Sequence, residues 1–168
     1  MLEINNIKFK EKFTEINIRH RRYEEENYIT LLITTEFFPA LYKENIVSGA
    51  LEAKVDIKGI KSLNDLKDKS YKGEIGSLSI SVNNNGIWEH EKTNNFEIEI
   101  KNIKNRDFNL KLSSTNCSLE TTGTLVSLYT TSTSEKVLKE NFNLKEFYPN
   151  PQVREIGKNK VYKYFVKE

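Results

Sequence analysis

The stretch IGSLSISVNNNGIWEHEKTNNFEIEIKNIKNRDFNLKLS, residues 75–113, decides the fold class. Leu78, Ile80, Val82, Trp88, Phe96, Ile98, Ile100, Phe108, Leu110 and Leu112 fall at even positions. Ser79, Ser81, Glu89, Glu91, Glu97, Glu99, Lys101, Asn109 and Lys111 fall at odd positions between them. Alternation with a period of two marks strands with one buried face. The pattern predicts four strands joined by three turns, and from Leu78 onward only Ile87 and Ile103 are out of step.

Parity also constrains the turns. Residues opposite one another in an antiparallel pair point to the same side, so keeping every even residue inside requires odd-length loops. Asn84-Asn85-Gly86 then reads as a three-residue loop that pairs Val82 with Trp88 and Ile80 with His90. The two-residue Asn85-Gly86 turn, the stronger local signal, is set aside because it would pair Val82 with Glu89. Thr93-Asn94-Asn95 reads as the second turn, pairing Trp88 with Ile100 and His90 with Ile98. The third is Lys104-Asn105-Arg106, where a bulge is the alternative. Trp88 and His90 are expected to face inward.

The opposite face of this register carries the one lead to function. It sets Glu89 against Glu99 and Glu91 against Glu97, and like charges directly opposed in a sheet cost up to about 1 kcal/mol per pair. A surface that keeps such a cost is what a binder of a basic partner would carry, because it speeds encounter and rejects wrong partners. Glu89, Glu91, Glu97 and Glu99 are therefore the expected partner-binding residues, with an ordinary solvated face as the bland alternative.

Working outward, Leu2 to Phe9 reads as a first strand, and Ile16 and Ile18 begin another that reaches toward Tyr23. Glu24-Glu25-Glu26-Asn27 is a charged turn. Tyr28 to Thr35 reads as a central strand, buried on both faces. Pro39 suits the start of a short helix. Leu51, Ala53, Val55 and Ile57 form a strand closed by Gly59. Ser62 with Asp65 resembles a capping box, which predicts a short helix from Ser62 to Lys69. Leu119 to Thr131 is a strand, Ser134 to Glu140 a short helix, and Val161 to Val166 the last strand. About nine strands and one or two short helices predict an all-β or β-rich α+β fold, a mainly antiparallel sandwich or partly open barrel. No linker or repeat divides residues 1–168, so one domain is expected.

Composition narrows the function classes. The 26 basic and 24 acidic residues are too balanced for a dedicated nucleic-acid binder. The charge is uneven: residues 23–100 carry fourteen acidic and eight basic groups, and residues 101–168 seven acidic and twelve basic. One cysteine, Cys117, excludes an internal disulfide. The absence of an apolar signal core or membrane-length run predicts a cytoplasmic protein with no membrane partner.

No phosphate-binding glycine loop, nucleophile elbow or metal-ligand spacing is present, so neither an enzyme nor a cofactor or metal is expected. His20, His90 and Cys117 lack the spacing of a zinc site or a catalytic dyad, and both histidines read as residues at the rim of the core with a hydrogen-bond partner. The expected function is a non-enzymatic protein-binding domain with an acidic sheet face against a basic partner. A bacterial immunity protein that neutralises a toxin is one such role, by analogy of size and charge alone. The alternative is a β-barrel carrier of a small apolar ligand.

Overall fold

A computed structural model describes residues 1–42, 45–84, 87–142 and 144–167; side chains at 40–47, 84–89 and 141 lie outside the description. In chain order the strands are β1 (Leu2–Ile4), β2 (Ile7–Phe9), β3 (Glu11–Tyr23), β4 (Glu26–Tyr42), β5 (Asn45–Lys58) and β6 (Lys69–Asn84). They continue as β7 (Ile87–Lys104), β8 (Asp107–Ser113), β9 (Cys117–Thr131), β10 (Gln152–Ile156) and β11 (Asn159–Phe165). The one α-helix among the described residues, α1 (Glu135–Asn141), follows β9, and a 3-10 turn at Leu63–Leu66 precedes β6.

The fold is all-β. Antiparallel hairpins run from β3 through to β9, and β9 returns to lie parallel beside β3, so the seven strands β3–β9 close as a barrel. The strand β9 is the hub. Along one edge it pairs with β1 at Cys117–Leu119 and then with β3 from Thr124; along the other it pairs with β8 and then with β11. Where β8 leaves, β11 takes over, and β10 continues the sheet outward as its last strand.

Alternation fills the barrel. Ile16 and Ile18, Ile29, Leu31 and Ile33, Leu51, Ala53 and Val55, Ile98 and Ile100, and Phe108, Leu110 and Leu112 are all buried in one cluster. At about 25 cal/mol per Å² of apolar surface, burial of such side chains is the main favourable term in folding. Leu138 of α1, Phe142 and Phe147 join this core, and the Phe142 ring meets His20 edge-on at 5.3 Å.

The register of β6 and β7 departs from the parity expectation. The ladder runs Asn84↔Ile87, Asn83↔Trp88, Val82↔Glu89 and Ser81↔His90, so only Asn85 and Gly86, outside the described residues, separate the strands. This is the pairing the sequence argument set aside. Thr93-Asn94-Asn95 is no turn: β7 is one strand of 18 residues. Between Glu74↔Asn95 and Leu78↔Thr93, three residues of β6 stand against one of β7. That irregularity reverses the face of both strands, so a single parity rule cannot hold across it. A second bulge at Lys101, between Ile100↔Leu110 and Asn102↔Asn109, places Ile103 opposite the buried Phe108 and explains its broken parity.

Other elements are simpler. Pro39 sits in a bulge of β4, between Phe37↔Gly49 and Ala40↔Val47, rather than at a helix start. The Asp65 carboxylate accepts the backbone N–H groups of Lys61 and Ser62 at 2.8 Å each, which caps the 3-10 turn as the Ser62–Asp65 spacing predicts. These bonds hold Asp65 below its ordinary pKa. β10 falls where no strand is expected, and Leu2 to Phe9, expected as one strand, forms two, β1 and β2.

Candidate binding surface

The four glutamates of the sequence argument do not oppose one another; all lie along β7. Glu89 pairs with Val82 and Glu91 with Ile80, whereas Glu97 stands between Lys72 and Ser113 and Glu99 between Ser70 and Lys111. The irregularity near Asn94 puts Glu91 on the side of the buried Ile80, and Glu97 and Glu99 on the outer side. From Glu89 to Glu99 the strand covers about 30 Å. Glu91 accepts the Asn116 side-chain amide at 2.7 Å and Glu97 accepts the Ser70 hydroxyl at 3.2 Å. Lysines opposite Glu97 and Glu99 offset the charge, so the like-charge cost that motivated the acidic site is absent. The side chains of Trp88 and Glu89, and the expected burial of Trp88, lie outside the described residues.

The histidines part company. His90 is exposed rather than inward, with Nδ1 2.9 Å from the Ser81 hydroxyl, because the reversed face carries it outward. His20 is fully buried rather than at a rim, with Nδ1 3.4 Å from the Thr130 hydroxyl. Burial pushes its pKa below the ordinary value, and the Asn27 side chain offsets part of that shift. Cys117 is buried too, and desolvation pushes its thiol up to about 12, so it holds its proton and is a poor nucleophile. Among the described residues no three His, Cys, Asp or Glu side chains converge as metal ligands.

A different surface stands out once the ladders are followed. Gln152 of β10 lies opposite Lys163 of β11, Lys163 opposite Tyr129 of β9, Tyr129 opposite Arg19 of β3, and Arg19 opposite Thr30 of β4. Paired residues point to one side, so these form a single row on the outer face. In the neighbouring row Arg154 of β10 lies opposite Val161 of β11. Tyr129, Gln152, Arg154, Val161 and Lys163 line a hollow of about 260 Å³ there.

This face is cationic. The Lys163 ammonium lies 5.0 Å from the centroid of the Tyr129 ring and 4.6 Å from that of Phe165. Burial alone would raise the Tyr129 phenol, but the neighbouring Lys163 and Ser127 side chains and the charge of Arg19 bring it below its ordinary value. Arg21, one row away, is answered by Asp56 at 3.3 Å. Arg19, Arg154 and Lys163 have no carboxylate within ion-pair distance among the described residues. From Gln152 to Lys167 the chain carries five basic side chains and one acidic, Glu155.

Sequence reasoning missed this surface for a plain reason. Arg19, Tyr129, Arg154 and Lys163 are scattered over 145 positions, and only the parallel β3–β9 pairing aligns them. The basic excess after residue 101 was the one signal in the sequence. Comparison with known proteins adds no constraint: no family model, no curated protein and no solved structure matches the chain.

Proposed function

We propose that this chain is a non-enzymatic, cytoplasmic protein-binding barrel that holds a negatively charged partner on the outer face around Lys163, Tyr129 and Arg19. The observation that carries this reading is the set of three cations, Arg19, Arg154 and Lys163, gathered beside one hollow without counter-ions among the described residues. Gathered like charges repel, and an anionic partner relieves the repulsion while gaining a steered approach. Protein is favoured over nucleic acid because the rings on this face are already covered. Lys163 lies over Tyr129 and Phe165, and Lys58 lies over Tyr28, so the rings around the hollow are already covered.

The basic partner expected from the sequence, a toxin held by an immunity protein among its versions, depended on opposed glutamates. With that opposition gone, β7 offers four glutamates interleaved with three lysines along one strand. The carrier reading fares no better, because apolar side chains such as Ile18, Leu31, Val55, Ile98 and Phe108 fill the barrel. No helix of the described residues is long and apolar enough to cross a membrane. The barrel is also apolar inside, with Arg19, Lys54, Asp56 and Lys58 outside, the inverse of a membrane barrel.

Binding to immobilised poly-L-glutamate, compared at low and high salt, tests the proposal. The wild-type chain is expected to bind and to weaken steeply with salt. The doubly reversed Arg154→Glu/Lys163→Glu variant is expected to lose binding, while Lys61→Glu/Lys67→Glu, on exposed sites elsewhere, retains it. Equal losses in the two variants, or no binding by the wild type, would sink the idea. Preference for a single-stranded oligonucleotide over polyglutamate would replace a protein partner with nucleic acid.

A further inference from the structure

The strand β10 ends the sheet path: one edge pairs with β11 and the other pairs with nothing among the described residues. Every residue from Gln152 to Ile156 is exposed, including Val153 at 51% and Ile156 at 62%. Strand edges present a row of unused N–H and C=O groups, and proteins usually shield them. Resting on the binding reading above, we infer that the partner docks by adding an extended segment to the free edge of β10. That segment is acidic on one face and apolar on the other.

The chemistry of the two faces selects this occupant. Gln152 and Arg154 point outward with Lys163 and Val161, so the outward residues of an added strand lie beside Arg154 and the cationic hollow. Carboxylates suit those positions. Val153 points the other way with Tyr162, on the face it shares with Glu155 and Lys160, so the residue of the added strand beside Val153 is best apolar. Main-chain hydrogen bonds supply affinity, and the alternating side chains supply specificity. A second copy of the chain is a poor occupant: antiparallel self-pairing centred on β10 sets Arg154 against Arg154. Extending the sheet also places the segment's carboxylates beside Arg154 and within two strand spacings, about 10 Å, of Lys163.

A capped peptide of alternating glutamate and valine, and the same peptide with every amide N-methylated, separate this mode from simple charge attraction. The two carry identical charges, but the methylated form has no N–H to donate. The unmodified peptide is expected to bind about tenfold more tightly or better. It should also protect from hydrogen exchange the alternate amides of β10 whose N–H groups point away from β11. If both peptides bind alike, or if polyglutamate binds and neither peptide does, edge addition is overturned while the cationic face stands. If polyglutamate also fails, both readings fall together. Protection confined to other strands would likewise overturn edge addition.

Discussion

The Tyr164 hydroxyl donates to Glu135 Oε1 at 2.7 Å and so ties the only α-helix among the described residues to β11. Tyr164 is buried, and both burial and this bond push its phenol pKa up. The same bond, with Lys139 in support, holds Glu135 below its ordinary value. The contribution of Glu135 is therefore fully present near neutral pH and is lost as pH falls through that lowered value. Loss of a hydrogen bond to a charged group costs about 1–2 kcal/mol at a partly exposed site. Tyr164→Phe is expected to lower stability by that amount and to speed amide exchange in α1 before the barrel strands. Urea denaturation and exchange measured by NMR check the two effects. Unchanged exchange in α1 would show that its packing through Leu138 suffices without the bond.

His20 makes stability pH-dependent in a definite direction. Its pKa is lowered in the folded chain, so below about 6.5 the unfolded chain takes up a proton that the folded one resists. Stability from the neutral imidazole is present above the unfolded pKa and is lost as pH falls toward the folded value. The slope of one such group reaches at most about 1.4 kcal/mol per pH unit. Denaturation midpoints between pH 7.5 and 5.5 are expected to fall more in the wild type than in His20→Gln. Parallel falls in the two proteins would assign the dependence to other groups.

Gly76 has no room for a side chain. A Cβ there would stand 1.9 Å from the Lys54 carbonyl oxygen, and its φ is +155°. Because the obstacle is backbone, relief requires β5 and β6 to separate at the irregularity that reverses the face of β6 and β7. Gly76→Ala is expected to cost about 3 kcal/mol, read from the urea midpoint. Gly59 offers the comparison: its φ is +72° with nothing within 4 Å of an added Cβ, so Gly59→Ala tests backbone strain without a clash. Similar costs at the two sites would mean that contact with Lys54 is unimportant.

Local patterns spoke clearly in the sequence, and they held where they depended on neighbours along the chain. Ile98, Ile100, Leu110 and Leu112 are buried as their alternation predicts, and Asp65 caps its turn as its spacing from Ser62 predicts. The α1 boundaries fall within a residue of those read from Ser134. The pairing of Val82 with Glu89, which parity disfavours, is the one the ladder adopts. Parity assumes an unbroken ladder, whereas the extra residues of β6 near Gly76 shift the pairing without any mark in the alternation of β7.

The sequence by itself determined that this is a β protein with an apolar interior, because which residues avoid water is a property of each strand alone. The tertiary structure decided that the sheet closes, since the parallel pairing of β3 with β9 joins residues more than 100 positions apart. It also decided which charges meet. The glutamates of β7 were near in sequence and were expected to oppose one another, yet register spreads them along one strand. Arg19, Tyr129 and Lys163 are remote in sequence, and register sets them side by side. Electrostatic interaction depends on distance in space, and in a sheet that distance is set by pairing rather than by position along the chain.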